Sequence, residues 1–546
     1  MEKKRMDCFS QCYKNFLSKS SIFQILCFYL SLPMVFILGW FLIFPGSTLS
    51  ATAPKVKKPF TFENVVAKAR DLARQSFQLS EKEVPEFLLK INYSAWRDIR
   101  FKPEKALWGK EKLPFTAQFF HPGFYYNRLV AINLVEPSGV KQIPFSPALF
   151  DYGKNDFQDK VPPHLGFAGF RLHYPINTKT YYDEIVVFLG ASYFRAVAQN
   201  QNYGLSARGL AINTALPNGE EFPYFKEFWL VKPSPGAKQM TVFALLDSPS
   251  LTGAYTFIIV PGKETSIQVK STLFMRQKVE KLGIAPLTSM FFYGENTSMR
   301  PADDFRPEIH DSDGLIIALR SGEWLWRPLK NPRTLLINSF MATNPIGFGL
   351  MQRDLYFDHY QDLEAHYEKR PSTWITPVGS WGAGHIELIQ IPMDNEWNNN
   401  IIASWVPSVQ TEPGQKLSFA YTMSWHFSGG ARPPDGRAVA TRTARGKDDL
   451  TKKFIIDFAG GKLESLPPKK KLDAVITVDP RAMLVEHQII KNEVTNGWRL
   501  VFQVRFEEEG LMERILTGKK PALELRAFLK DGAKVLTETW SYAYQP

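Results

Sequence analysis

At 546 residues the chain exceeds one typical domain of about 100 to 200 residues, and its 44% apolar, 22% charged composition is that of a globular protein with a large core. Its formal charge of +12 is interleaved with acids apart from the short run Lys469 to Lys471, so the basic stripe that nucleic acid requires is missing. The three cysteines, Cys8, Cys12 and Cys27, all stand near the N-terminus, which excludes disulfides and thiolate metal sites downstream.

The first element is an apolar run over residues 22 to 44, preceded by Lys3, Lys4, Arg5, Lys14 and Lys19 and followed by small residues near Ala51. Residues 1–53 therefore read as an export signal or membrane anchor. Next, Phe62, Val65, Val66, Ala69, Leu72, Ala73 and Phe77 recur at spacings of three and four behind Thr61, which predicts a capped amphipathic helix. From there the rhythm changes. Runs rich in Val, Ile, Phe and Tyr at 184–189, 241–246 and 255–260 alternate with Gly, Pro, Asn and Asp turns, so 54–427 is expected to form a large β-sandwich.

The Gly- and Pro-rich stretch at 428–447 is expected to be a linker to a smaller domain over 448–546. Six strand-like runs lie in that domain, at 454–458, 474–478, 483–490, 498–506, 523–529 and 535–542. Asn496-Gly497 and Asp531-Gly532 are hairpin signals between them. This pattern predicts an immunoglobulin-like sandwich without its cysteine pair. The fold class is all-β throughout.

No nucleophile elbow, phosphate-cradling loop, zinc-protease helix or dinucleotide fingerprint is present, so neither a cofactor nor a metal is expected. His359 and His366, seven residues apart, have a poor ligand spacing. Seven of the 13 tryptophans, Trp324, Trp326, Trp374, Trp381, Trp397, Trp405 and Trp425, fall between Asp303 and Trp425 among many acids. Aromatic rings stack on the CH faces of sugars while carboxylates and arginines take their hydroxyls, a mixture suited to a glycan cleft. Core packing is the competing use of each ring. The acids between Asp303 and Glu396 supply candidates for the two carboxyls that glycoside hydrolysis needs, and spacing alone does not choose among them.

The segments FLGASYFRA at 188–196, YGLSARGLA at 203–211, GEEFP at 219–223, RPEIHDSDGL at 306–315, GEWLWRPL at 322–329 and RPSTW at 370–374 resemble the periplasmic glucan biosynthesis protein G/D family. The resemblance extends from about Phe60 to Tyr542. It implies a galactose-mutarotase-like sandwich joined to an immunoglobulin-like domain, and a periplasmic role in making osmoregulated glucans with a β-1,2-linked backbone. It also implies endo-β-1,2-glucanase chemistry of the inverting kind, with the membrane glucan glucosyltransferase as a candidate partner. The basic N-terminal stretch lacks paired arginines, which points to the general secretory route and the G branch.

Carried over residue by residue, the general base falls on Asp311, and the general acid falls where this chain has Asn399 in an Asn-Asn-Asn-Ile stretch. An amide cannot serve as a general acid near neutral pH. A non-catalytic glucan-binding or scaffold protein is therefore the alternative to a glucanase, with Asp394 or Glu396 as substitute acids. A groove lined by Tyr193, Arg195, Arg208, Glu323, Trp324, Trp326, Arg370, Trp374, Trp381 and Glu387 is the expected substrate site.

Overall fold

The computed structural model describes residues 59–78, 84–298, 300–427, 432–506 and 522–545. The segment expected to be an export signal or anchor, 1–53, and the first residues of the expected linker lie outside them. Among the described residues no helix is long and apolar enough to cross a membrane.

Phe62–Ala73 is the expected helix, with Thr61 at its N-cap and the Asn64 side chain accepting the Thr61 N–H. Phe77 lies beyond its end. The helix buries Val65 and Ala69 against Trp229, Phe243, Leu245, Ala254 and Phe274. These residues belong to the outer face of a fifteen-stranded sheet. Strand Met240–Asp247 turns Phe243 and Leu245 to the helix and Val242, Ala244 and Leu246 to the main core. Both of its faces are covered, which is why its sequence is nearly unbroken apolar rather than alternating.

A ten-stranded sheet packs over the other face. Its path runs Thr116–Phe120, Gly169–Tyr174, Asp183–Leu189, Tyr193–Ala196, Ser206–Arg208, Leu282–Ser289, Ile401–Pro407, Ala383–Gln390 and Leu336–Thr343. Between the sheets Phe188 stacks on Phe170 and Phe194 at 4.8 and 5.2 Å and meets Phe228 and Phe257 edge-on. Much of the aromatic excess is spent in this core.

The C-terminal region differs from a domain tethered by a loose linker. Inside 428–447 the structure places strand Arg437–Arg445, paired with Thr451–Ala459 through a register shift after Ala438, and it buries Ala438 and Thr441. Those two strands form a four-stranded sheet with Gly497–Phe506 and Ala482–Asn492. The facing layer, Asp473–Val478, Leu523–Asp531 and Thr539–Tyr544, is continuous with the fifteen-stranded sheet, since Leu325 and Trp326 pair in parallel with Thr539 and Trp540. Both hairpin turns are present, with Asn496 and Gly532 at φ 56° and 58°, the left-handed region those dipeptides favour.

Candidate active site

Strand Leu282–Ser289 leads into Ser289 to Phe291, and two segments flank this stretch. On one side Asn400 donates its N–H to the Ser289 carbonyl, and its side chain clamps the Phe291 N–H and carbonyl at 2.9 Å each. On the other side Asp311 donates its N–H to the Met290 carbonyl, and Ser289 Oγ donates to Ser312 Oγ at 2.8 Å. Asp311 and Asn399, both buried, thereby lie next to residues that flank the Ser289–Phe291 stretch on either side.

Asp311 is 0% exposed. One carboxylate oxygen takes Arg370 Nη1, whereas Oδ2 is buried with no hydrogen-bond partner. Arg370 lies over the Tyr367 ring at 4.1 Å, and Tyr367 donates its hydroxyl to Glu396 Oε2 at 2.9 Å. Glu396 is further held by Arg306, which also binds Asp304 and Asp362, so this candidate acid is committed to an ion-pair network. Burial pushes the Tyr367 hydroxyl well above its usual range. Asp394 lies in the same loop, its Oδ1 accepting from the Asn395 side chain.

His310 anchors Asp311 from behind. Its ring stacks on Phe291 at 5.3 Å and bonds Gln352 Oε1 at 2.9 Å and Glu308 Oε2 at 3.0 Å. Burial opposes its charge, but Glu308 outweighs that and lifts its pKa to about 9. Glu308, Asp354 and His359 bring one ligand atom each within 4.8 Å of one another. His359 already bonds Asp354 at 2.5 Å and Glu308 already bonds His310. His366 turns instead to Glu368 at 3.0 Å.

The expected single groove is not met. Of its expected residues, Arg370 is the one with a bond to Asp311 among the described contacts. Tyr193 and Arg208 are register partners and Arg195 follows on the outer face of the ten-stranded sheet, yet all three are buried. Arg208 pairs with Glu220 and lies between the Tyr193 and Phe222 rings. Glu387 sits farther along that sheet, where burial opposes its charge but His385 and Lys281, the latter at 2.9 Å, more than offset it and lower its pKa. Trp381 packs among Trp405, Phe419 and Tyr421 and donates its indole N–H to the Ala420 carbonyl.

Trp326 and Trp374 are buried in the core shared with the C-terminal sheets, and Trp324 stacks on Trp374 at 5.6 Å. Glu323 binds Arg526 and Thr539 across the same junction. These side chains serve packing because their strands meet the C-terminal layer, which the local sequence does not reveal. Conversely, Tyr367, Gln352 and Asn400 shape the site and were not expected there. The Asn398-Asn399-Asn400 run carried the one signal that pointed to any of them.

Residues 60–544 match the family described as periplasmic glucan biosynthesis protein, MdoG. The chain is 46% identical over 509 residues to a glucans biosynthesis protein G from Ralstonia nicotianae (strain ATCC BAA-1114 / GMI1000), covering 91% of this chain and 98% of that relative. A solved polysaccharide lyase aligns over 69% of this chain and 44% of its own at 10% identity, and its TM-score of 0.22 carries no argument. The chain thus belongs to the periplasmic glucan biosynthesis protein family, in its G branch.

Proposed function

We propose that this protein binds the linear β-1,2-glucan backbone in the periplasm at the Asp311–Asn399 site and cleaves it slowly or not at all. The observation that carries the reading is the buried Asp311 carboxylate, with one oxygen on Arg370 and the other unsatisfied. A buried polar atom left without a partner is costly, and functional sites are where such costs are kept.

In an inverting hydrolysis Asp311 takes a proton from the attacking water while a second group across the scissile bond protonates the leaving oxygen. Asn399 stands at the second position and has no proton to give. Losing general-acid assistance costs about 10²- to 10⁴-fold in rate. Binding without brisk turnover also suits a protein that guides nascent backbone from the membrane glucan glucosyltransferase, having reached the periplasm by the general secretory route.

The test is incubation of the purified protein with linear β-1,2-glucan, with products separated by chain length and binding followed by calorimetry. Binding with little cleavage is expected. Asn399→Asp is expected to raise hydrolysis at least about tenfold, and to do nothing in an Asp311→Asn background. Fast wild-type cleavage that persists in Asp311→Asn overturns the pair. No heat of binding to any β-1,2-glucan overturns the reading as a whole.

A further inference from the structure

A second place on the molecule is built to take a sugar ring. A cavity of about 200 Å³ opens between the turn after Leu189 and the segment around Tyr125. Two of its lining rings are conspicuously wet, Tyr125 at 57% exposure and Phe222 at 42%. Large aromatic faces left in water beside a concavity mark a binding surface more often than a packing error.

Residues beside the cavity carry strained backbone. Phe124 has φ 55° and Ala191 φ 42°, left-handed values that side chains of this kind rarely adopt. Phe124 N–H donates to the Leu88 carbonyl at 2.8 Å, and Gly123 and Tyr126 exchange backbone bonds around it. The turn thereby presents the Tyr125 ring outward. Strain of this kind persists only where surrounding contacts impose it, and it clusters at ligand clamps.

The cavity also has a polar head. Arg128 lies flat on the Tyr224 ring at 4.5 Å, and its guanidinium makes no hydrogen bond or ion pair among the described residues. Its five N–H donors are free for hydroxyl oxygens. Arg128 also borders a second cavity of about 290 Å³.

We infer that the Tyr125–Phe222–Arg128 cavity is a second glucan-binding subsite, separate from Asp311, that stacks one pyranose ring of the same chain and holds its hydroxyls through Arg128. The inference rests on the glucan-binding reading of Asp311. The cavity and Asp311 lie toward opposite ends of one short hairpin. Tyr193, which lines the cavity, pairs with Arg208, and four residues farther along Gly204 abuts Arg370, where an added Cβ would stand 2.8 Å from the Arg370 Cβ. Four residues of chain reach at most about 14 Å, a reach for a chain and not for a single ring. A long glucan engaging both ends gains avidity that a short one lacks.

The experiment titrates the protein, by calorimetry, with long linear β-1,2-glucan and with a short β-1,2-oligosaccharide. Tyr125→Ala/Phe222→Ala is expected to weaken the long chain at least about fivefold and to leave the short one near its wild-type affinity at the Asp311 site. Tyr125→Trp supplies an independent reading, because a ring stacking on the new indole shifts its fluorescence. Tight long-chain binding by the wild type that is unchanged in the double variant, or an indole signal unmoved by saturating glucan, overturns the subsite and leaves Asp311 standing. Absence of binding by the wild type overturns the Asp311 reading itself.

Discussion

Arg370 touches Asp311, the Ala365 carbonyl and the Tyr367 ring at once, so it is the residue on which the site's charge balance turns. Arg370→Gln leaves a fully buried carboxylate without its cation, and breaking a buried pair from one side costs about 3 to 5 kcal/mol. Adding Asp311→Asn in that background is expected to recover part of the loss, which a denaturant double-mutant cycle measures. Two histidines set the acid limit. Desolvation holds His121 and His173 down to about 4, with Arg171 adding to the effect on His173. Because their folded pKa values are depressed, their contribution is present above about pH 6.5 and is lost as pH falls through about 4, at most about 3 kcal/mol each. His173→Phe is expected to flatten the fall in denaturation midpoint between those limits. Asp311 was singled out by its motif, but the bond between His310 and Gln352 behind it was not, because a glutamine 42 residues away carries no local signature of the contact.

At the level of strands, glycine decides where two tryptophans lie. A Cβ on Gly314 would stand 2.0 Å from the Trp326 ring, and one on Gly347 2.3 Å from the Trp374 ring. Gly314→Ala and Gly347→Ala are each expected to lower stability by about 1 to 3 kcal/mol, read from denaturation midpoints. The strands themselves were readable from β-branched and aromatic runs. The run at 184–189 appears as Asp183–Leu189, 241–246 as Met240–Asp247 and 498–506 as Gly497–Phe506. What periodicity did not convey is which layer each strand meets. The tryptophans of Trp324–Pro328 and Ser372–Pro377 therefore suggested a cleft, and the structure puts Trp326 and Trp374 in a core.

On the scale of the whole molecule, the two sandwiches are joined by more than strand pairing. Arg353 makes a two-pronged bond to Glu538 at 2.6 and 2.9 Å, with both side chains buried, and lies on the Trp326 ring at 3.5 Å. Arg353→Met is expected to cost about 3 to 5 kcal/mol by stranding Glu538, and Arg353→Met/Glu538→Met much less, in equilibrium unfolding. The boundary drawn at 428–447 followed its glycines and prolines. It missed that Ala438 gives both its N–H and its carbonyl to this ion pair. The parallel pairing of Leu325 with Thr539 has a further consequence, for biogenesis. A chain made N-terminus first reaches strand Trp324–Pro328 more than 200 residues before its partner exists. Until Thr539 and Trp540 are in place, that strand is an open edge beside uncovered indole, the kind of surface that recruits neighbouring chains. Completion of the central sheet therefore waits on a segment more than 200 residues downstream, and chains clipped before Thr539 are expected to stay sticky however well their first 400 residues have folded.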